Sequence, residues 1–152
     1  MDIIWGGSGI EKVVFDFILE NIPEGSTIVE LGAGHVSTRE FANHYDCYSV
    51  EDNPDFIGHY KVKYINAPIV NDWYDINILK NSLPSKESQK LIFIDGNRRD
   101  QILNHLDLFN PDAMYLIHDT YREGMQILAK KIGERLGRDA IFYTNGDFWA
   151  VI

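Results

Sequence analysis

Five times along this 152-residue chain a short apolar run gives way to a helical pattern or a turn. The runs at residues 27–31, 47–50, 62–65, 91–94 and 113–117 have the length of strands rather than of helices. Residues 37–45, 75–83 and 99–109 read as helices between them, and Asn53-Pro54-Asp55 as a brief helical turn. A longer helix opens at Thr120 and closes at Gly137. Another precedes the first strand, with Ile10, Val13, Val14, Phe17 and Ile18 on one face. Three Ser/Thr-x-x-Glu boxes mark helix starts: Ser8-Gly9-Ile10-Glu11, Ser37-Thr38-Arg39-Glu40 and Thr120-Tyr121-Arg122-Glu123. Parallel neighbours need crossover connections, which are right-handed and usually helical. The expectation is one α/β domain: a doubly wound, mostly parallel seven-stranded sheet with helices on both faces. Its end departs from that rule. Residues 140–144 and 148–152 read as strands joined through Asn145-Gly146-Asp147, a C-terminal antiparallel hairpin where a dinucleotide fold would add another crossover.

Composition narrows the partners. The net charge is -9, and the basic clusters are Arg98-Arg99 and Lys130-Lys131. Neither nucleic acid nor an anionic membrane surface is expected to bind such a chain. No run approaches the roughly 20 apolar residues that span a bilayer, and the first residues lack the pattern of a signal peptide. The single cysteine, Cys47, fits a reducing, cytoplasmic setting and a packing role. An apolar share of 45% is that of an ordinary globular protein.

In an open parallel sheet, ligands bind beyond the carboxyl ends of the strands. Those ends are Gly32 to His35, Glu51-Asp52, Asn66-Ala67, Asp95-Gly96 and His118-Asp119. Gly32 and Gly34 permit positive φ and close approach of a ligand. The helix that starts at Ser37 aims its free N–H groups at the same space. Glu51, nineteen residues after Gly32, is spaced to accept from ribose hydroxyls and to repel a 2′-phosphate. Asp52 joins the candidate set, although a cap or a solvated carboxylate explains it as well. His35, His44, His59 and His105 show no metal-ligand spacing.

Glu30-Leu31-Gly32-Ala33-Gly34, Ser49-Val50-Glu51-Asp52, Phe93-Ile94-Asp95-Gly96 and Leu116-Ile117-His118-Asp119, in this order, resemble the motifs of class I S-adenosylmethionine-dependent methyltransferases. The resemblance spans nearly the whole chain, closing hairpin included, and Val36-Ser37 stands where a dinucleotide fingerprint has its third glycine. It implies S-adenosylmethionine as cofactor. Glu30 and Gly32 would line its methionine part with backbone from Gly34, Glu51 would hold the ribose, and Asn66 and Ala67 would border the adenine, with Ala33 and Asp52 in the same cofactor-binding set. Asp95, with Gly96, would face the methionine amino group or the acceptor. Trp5-Gly6-Gly7-Ser8 would close over the methionine end. Arg99 near Asp95, together with His118-Asp119, is similar to small-molecule and sugar O-methyltransferases.

Methyl transfer from a sulfonium mainly requires positioning and removal of a proton. Asp95, His118 and Asp119 are the catalytic candidates, His118 as a base that titrates near neutrality. The bland readings are a cap for Asp119 and a hydrogen-bonded histidine for His118. The same three groups have the chemistry to ligate a divalent ion. Metal-dependent O-methyltransferases place an Asn after the second Asp, however, and here that position is Thr120, so a divalent metal is not favoured and no metal ligand is assigned. Tyr121, Arg122, Arg98 and Arg99 are candidates to line the acceptor site. The acceptor class is a small molecule or sugar. A non-catalytic module of the same fold is the alternative, with any lid supplied by a homodimer or a partner. An NAD-dependent oxidoreductase is the weaker one, lacking both a third glycine and a substrate region.

Overall fold

The computed structural model describes residues 11–96, 98–144 and 148–152. The Ser8 capping box, Trp5-Gly6-Gly7-Ser8 and the Asn145-Gly146-Asp147 turn therefore lie outside the described residues. In chain order the elements are α1 (Lys12–Asn21), β1 (Thr27–Leu31), α2 (Ser37–His44), β2 (Asp46–Glu51), β3 (Lys63–Asn66), β4 (Ile69–Val70), β5 (Trp73–Tyr74), α3 (Ile76–Ser82), β6 (Gln89–Ile94), β7 (Met114–His118), α4 (Glu123–Leu136), β8 (Ile141–Tyr143) and β9 (Trp149–Val151).

Seven strands form one sheet in the order β3-β2-β1-β6-β7-β9-β8. The pairs from β3 to β7 are parallel, whereas β9 runs antiparallel to both β7 and β8. This is the doubly wound, mostly parallel sheet expected, with its antiparallel end. Strand order reverses between β1 and β6. Both faces of the sheet are covered, which explains why Leu91-Ile92-Phe93-Ile94 is apolar without alternation. Leu91 and Phe93 pack with Phe15, Ile18 and Phe41 from α1 and α2. Ile92 and Ile94 pack with Leu79 of α3 and Leu128 and Ile132 of α4.

Three local expectations are corrected. Residues 99–109 do not form one α-helix but two 3₁₀ segments, Arg99–Asn104 and Leu106–Leu108, broken at His105. The tighter winding buries Ile102 and Phe109 against the sheet while bringing Arg99 back beneath the strand ends. The second capping box does not form: Val36 holds the cap position, and the Thr38 hydroxyl instead bonds Glu30 and Gly34. The third does not form either, because Thr120 is drawn into the sheet by its N–H bond to Phe148 O and α4 starts after Arg122. Between β3 and α3 stands the small antiparallel pair β4–β5, with Asn71 and Asp72 both at positive φ in a two-residue turn.

The ends of β1 and β6 meet at two glycines. Gly32 has φ +97°, and a Cβ placed on it would lie 2.5 Å from Gly96 Cα. A Cβ on Gly96 would in turn lie 2.5 Å from the Tyr74 hydroxyl on β5. Gly58 offers a control, at φ +89° with nothing within 4 Å of its Cβ position. Gly32→Ala is expected to cost about 2–5 kcal/mol, summing a backbone penalty of about 1–2 and overpacking of about 1–3. Gly58→Ala carries only the backbone penalty. Urea unfolding of both variants checks this, and equal losses would refute the close-contact account.

Candidate functional site

A cleft of about 460 Å³ opens over the switch point between β1 and β6, within the roughly 300–1,000 Å³ of small-molecule sites. Four strand ends line it: Gly32 and Ala33 after β1, Glu51 and Asp52 at β2, Asp95 and Gly96 after β6, His118 and Asp119 at β7. Eight of the twelve residues named as catalytic or cofactor-binding thus come together, joined by Arg98, Arg99 and Arg122 from the acceptor-site candidates. Four do not reach the wall. Glu30 and Ala67 are fully buried, Gly34 is buried in the turn, and Asn66 is exposed away from the cleft. Ala67 donates its N–H to Glu51 O, which continues the strand pairing. Asn53 and Phe56 occupy the wall where Asn66 and Ala67 were expected.

Glu30 works one layer below. Its Oε1 accepts from the Thr38 and Ser49 hydroxyls, both at 2.7 Å, and Thr38 Oγ1 in turn accepts the Gly34 N–H at 2.8 Å. This chain of bonds ties the glycine turn to β1, β2 and α2. Complete burial pushes the Glu30 carboxyl up to about 7, against the opposing pull of its hydroxyl donors. Its Oε2 is buried without a hydrogen-bond partner.

Glu51 closes the turn from the other side. Oε1 accepts from Ala33 N at 3.0 Å, and Oε2 from Asp52 N at 2.9 Å and Asn53 N at 2.8 Å. A carboxylate has about four acceptor positions. Three are filled, so one remains for a ligand hydroxyl unless backbone donors are exchanged. Burial raises the Glu51 carboxyl above its usual range, only partly offset by the Asn53 and Ala33 N–H groups.

At the far end of the cleft, one guanidinium gathers the β6 and β7 termini. Arg99 Nη2 bonds Asp95 Oδ1 at 3.0 Å and Asp119 Oδ2 at 2.9 Å. Its Nη1 donates to His118 O at 2.8 Å and its Nε to Gly96 O at 2.7 Å. Four of the five guanidinium donors are thereby used, with the side chain only 10% exposed. Asp119 adopts φ +63° to meet it, strain that is uncommon for a non-glycine residue and typical of functional sites. His118 Nδ1 lies 3.4 Å from Asp95 Oδ1 and 3.3 Å from Asp119 Oδ1. Burial raises the Asp95 carboxyl, while His118 and Arg99 pull it down. The sequence reading placed Arg99 among acceptor-site candidates rather than at the centre of this cluster. The available signal was its position four residues after Asp95: two acids at adjacent buried strand ends need a cation between them.

Donor atoms of Asp95, His118 and Asp119 lie within 4.8 Å of one another, which is ligand spacing for a metal ion. The charge state does not fit one. Both carboxylates already bond Arg99, which fills the bridging place between them with a positive charge that repels a second cation.

No protein-family model matches the chain, and no curated protein matches it. Solved structures do. A precorrin-8W decarboxylase from Methanobacterium thermoautotrophicum has a TM-score of 0.62 at 16% identity, over 97% of this chain and 91% of that one. The MycE methyltransferase of the mycinamycin biosynthetic pathway, in complex with Mg and SAH, gives 0.58 at 13% identity, over 91% of this chain and 44% of MycE. A methyltransferase from Pyrococcus furiosus gives 0.54 at 14% identity, over 99% of this chain and 86% of that one. At these identities the likeness establishes the fold alone, one that this chain shares with two methyltransferases and a decarboxylase.

The Glu30 shift has a measurable consequence. A carboxyl raised in the folded state stabilises the fold below its ordinary pKa and loses that contribution as pH rises through the folded value. Between pH 4.5 and about 7 the loss amounts to about 3 kcal/mol. Urea unfolding at pH 5 and pH 8 should show the native protein losing stability over this interval. In Glu30→Gln that loss should shrink by most of this amount, whatever the variant's absolute stability. Identical pH slopes would mean that Glu30 ionises normally.

Proposed function

We propose that the chain is an S-adenosylmethionine-dependent methyltransferase that methylates an oxygen of a small molecule or sugar. The observation that carries this reading is the cleft itself. A glycine floor at Gly32 and Gly96, the Glu51 carboxylate and an acid–histidine cluster line one cavity at the switch point. The fold shared with known methyltransferases supports it.

The bound cofactor would supply a methyl group already activated by its sulfonium. The chain's own residues then bind, orient and move a proton. Gly32 and Ala33 let the ligand approach the backbone, and the remaining acceptor position on Glu51 takes a ribose hydroxyl. Asp52 and Phe56 flank the same end, while Asp95 and Gly96 border the methionine end. His118 would take the acceptor's hydroxyl proton as that oxygen becomes methylated. Asp95 and Asp119, both within 3.4 Å of its Nδ1, hold the ring and stabilise the imidazolium that results. Arg122 lines the cleft and would meet an entering acceptor, whereas the exposed Tyr121, whose ring its guanidinium covers, lines a neighbouring pocket with Phe142 and Phe148.

Calorimetry is expected to give micromolar binding of S-adenosylmethionine and of S-adenosylhomocysteine, and none of NAD. No heat with either sulfur nucleoside would sink the proposal. Glu51→Ala should weaken binding by about tenfold or more, about 1.4 kcal/mol, while the protein stays folded. Labelled methyl transfer to a metabolite and glycan panel then tests catalysis. With an acceptor in hand, His118→Gln should slow transfer by about a hundredfold with S-adenosylhomocysteine affinity retained. An unchanged rate would remove His118 from the mechanism.

A further inference from the structure

We infer that Arg99 is a built-in cation that stands in place of a divalent metal at the Asp95–His118–Asp119 cluster, so that the cluster is metal-excluding by design and Arg99 is the residue that excludes. What the cluster does rests on the methyltransferase reading; that it refuses a metal does not.

Three observations meet here. The donor set has the composition and spacing of a metal site. One guanidinium nitrogen lies within 3.0 Å of both carboxylates, bridging them as an ion would. Two further guanidinium nitrogens are fastened to the Gly96 and His118 carbonyls, so the cation cannot swing away without giving up two buried backbone bonds. A lysine could not copy this, because its point charge lacks the planar fork that reaches both strand ends at once. Asp119 enters at strained φ to complete the bridge. Arg99 is therefore a positioning residue: it holds both carboxylates beside His118 Nδ1 and occupies the bridging place between them that a divalent ion would take. The magnesium that accompanies MycE is thereby not required by the fold as built here.

The test uses Mn2+ as probe, by electron paramagnetic resonance and calorimetry on the full chain. The native protein should show no site tighter than millimolar. Arg99→Met keeps the bulk but removes the charge, and should gain Mn2+ binding by at least thirtyfold. Arg99→Met combined with Asp119→Asn should lose that gain, which a merely structural role for Arg99 does not predict. A native protein that binds Mn2+ tightly, and stops doing so on Asp119→Asn, overturns the inference. So does a folded Arg99→Met with no gain. Should Arg99→Met fail to fold by circular dichroism, the native protein decides alone: absence of a site supports the inference, and a site lost on Asp119→Asn refutes it. S-adenosylhomocysteine binding with and without EDTA is measured separately. Its absence would count against the methyltransferase reading only, and its loss on EDTA treatment against the metal-free cluster.

Discussion

The backbones of Gly32 and Gly96 touch so closely that neither position tolerates a side chain, and the cleft exists because of that contact. It sets the ends of β1 and β6 side by side at the point where strand order reverses. Leu31 O accepts the Asp95 N–H just before the two chains part, one toward α2 and the other toward Arg99. Tyr74 supports the floor from beneath, which gives the small β4–β5 pair a reason to be there. A larger residue at either glycine would push the two strand ends apart and with them every group they carry.

Around that floor, polar groups are treated in two ways. Asp95 and Asp119 are charge-compensated by Arg99. Glu51 is compensated by backbone N–H groups, and Glu30 by hydroxyls alone. Hydroxyls solvate a carboxylate less well than a guanidinium does, and Glu30 is the one pushed up to neutrality. Its task suits that state, since it shapes the turn through Thr38 rather than touching a ligand. The cleft thus has a charged, strapped end at β6–β7 and a backbone-capped end at β1–β2.

Much of the fold was legible because period and length of the apolar runs are decided by burial on two faces. The strand ends were legible because an open parallel sheet must place them together, and eight of the residues named from sequence share the cleft. What could not be read was set by tertiary contacts. Ser37-Thr38-Arg39-Glu40 has the letters of a capping box, but the helix already begins at Ser37 with Val36 as its cap, and the Glu40 carboxylate bonds Arg39 instead. Residues 99–109 have helical spacing, but the demand on Arg99 from two strand ends winds them tighter. Asn66 and Ala67 follow a strand end like the others, yet β3 lies third from the switch point and its end does not line the cleft. Distance from the switch point is a property of strand order, which no single stretch of sequence carries.

Strand β9 lies between β7 and β8 although it follows both in the chain. A ribosome delivers β8 before the strand it pairs with, so its backbone groups and the exposed Ile141 and Phe142 wait without that neighbour. Once β9 arrives it zips two edges at once, with Trp149 stacking on Tyr143 on one side and Val151 set against Leu116 on the other. Completion of the sheet is thus a single late insertion. The His118–Asp119 end of the cleft, which β9 buttresses by pairing Trp149 with His118, is complete only once that insertion has taken place.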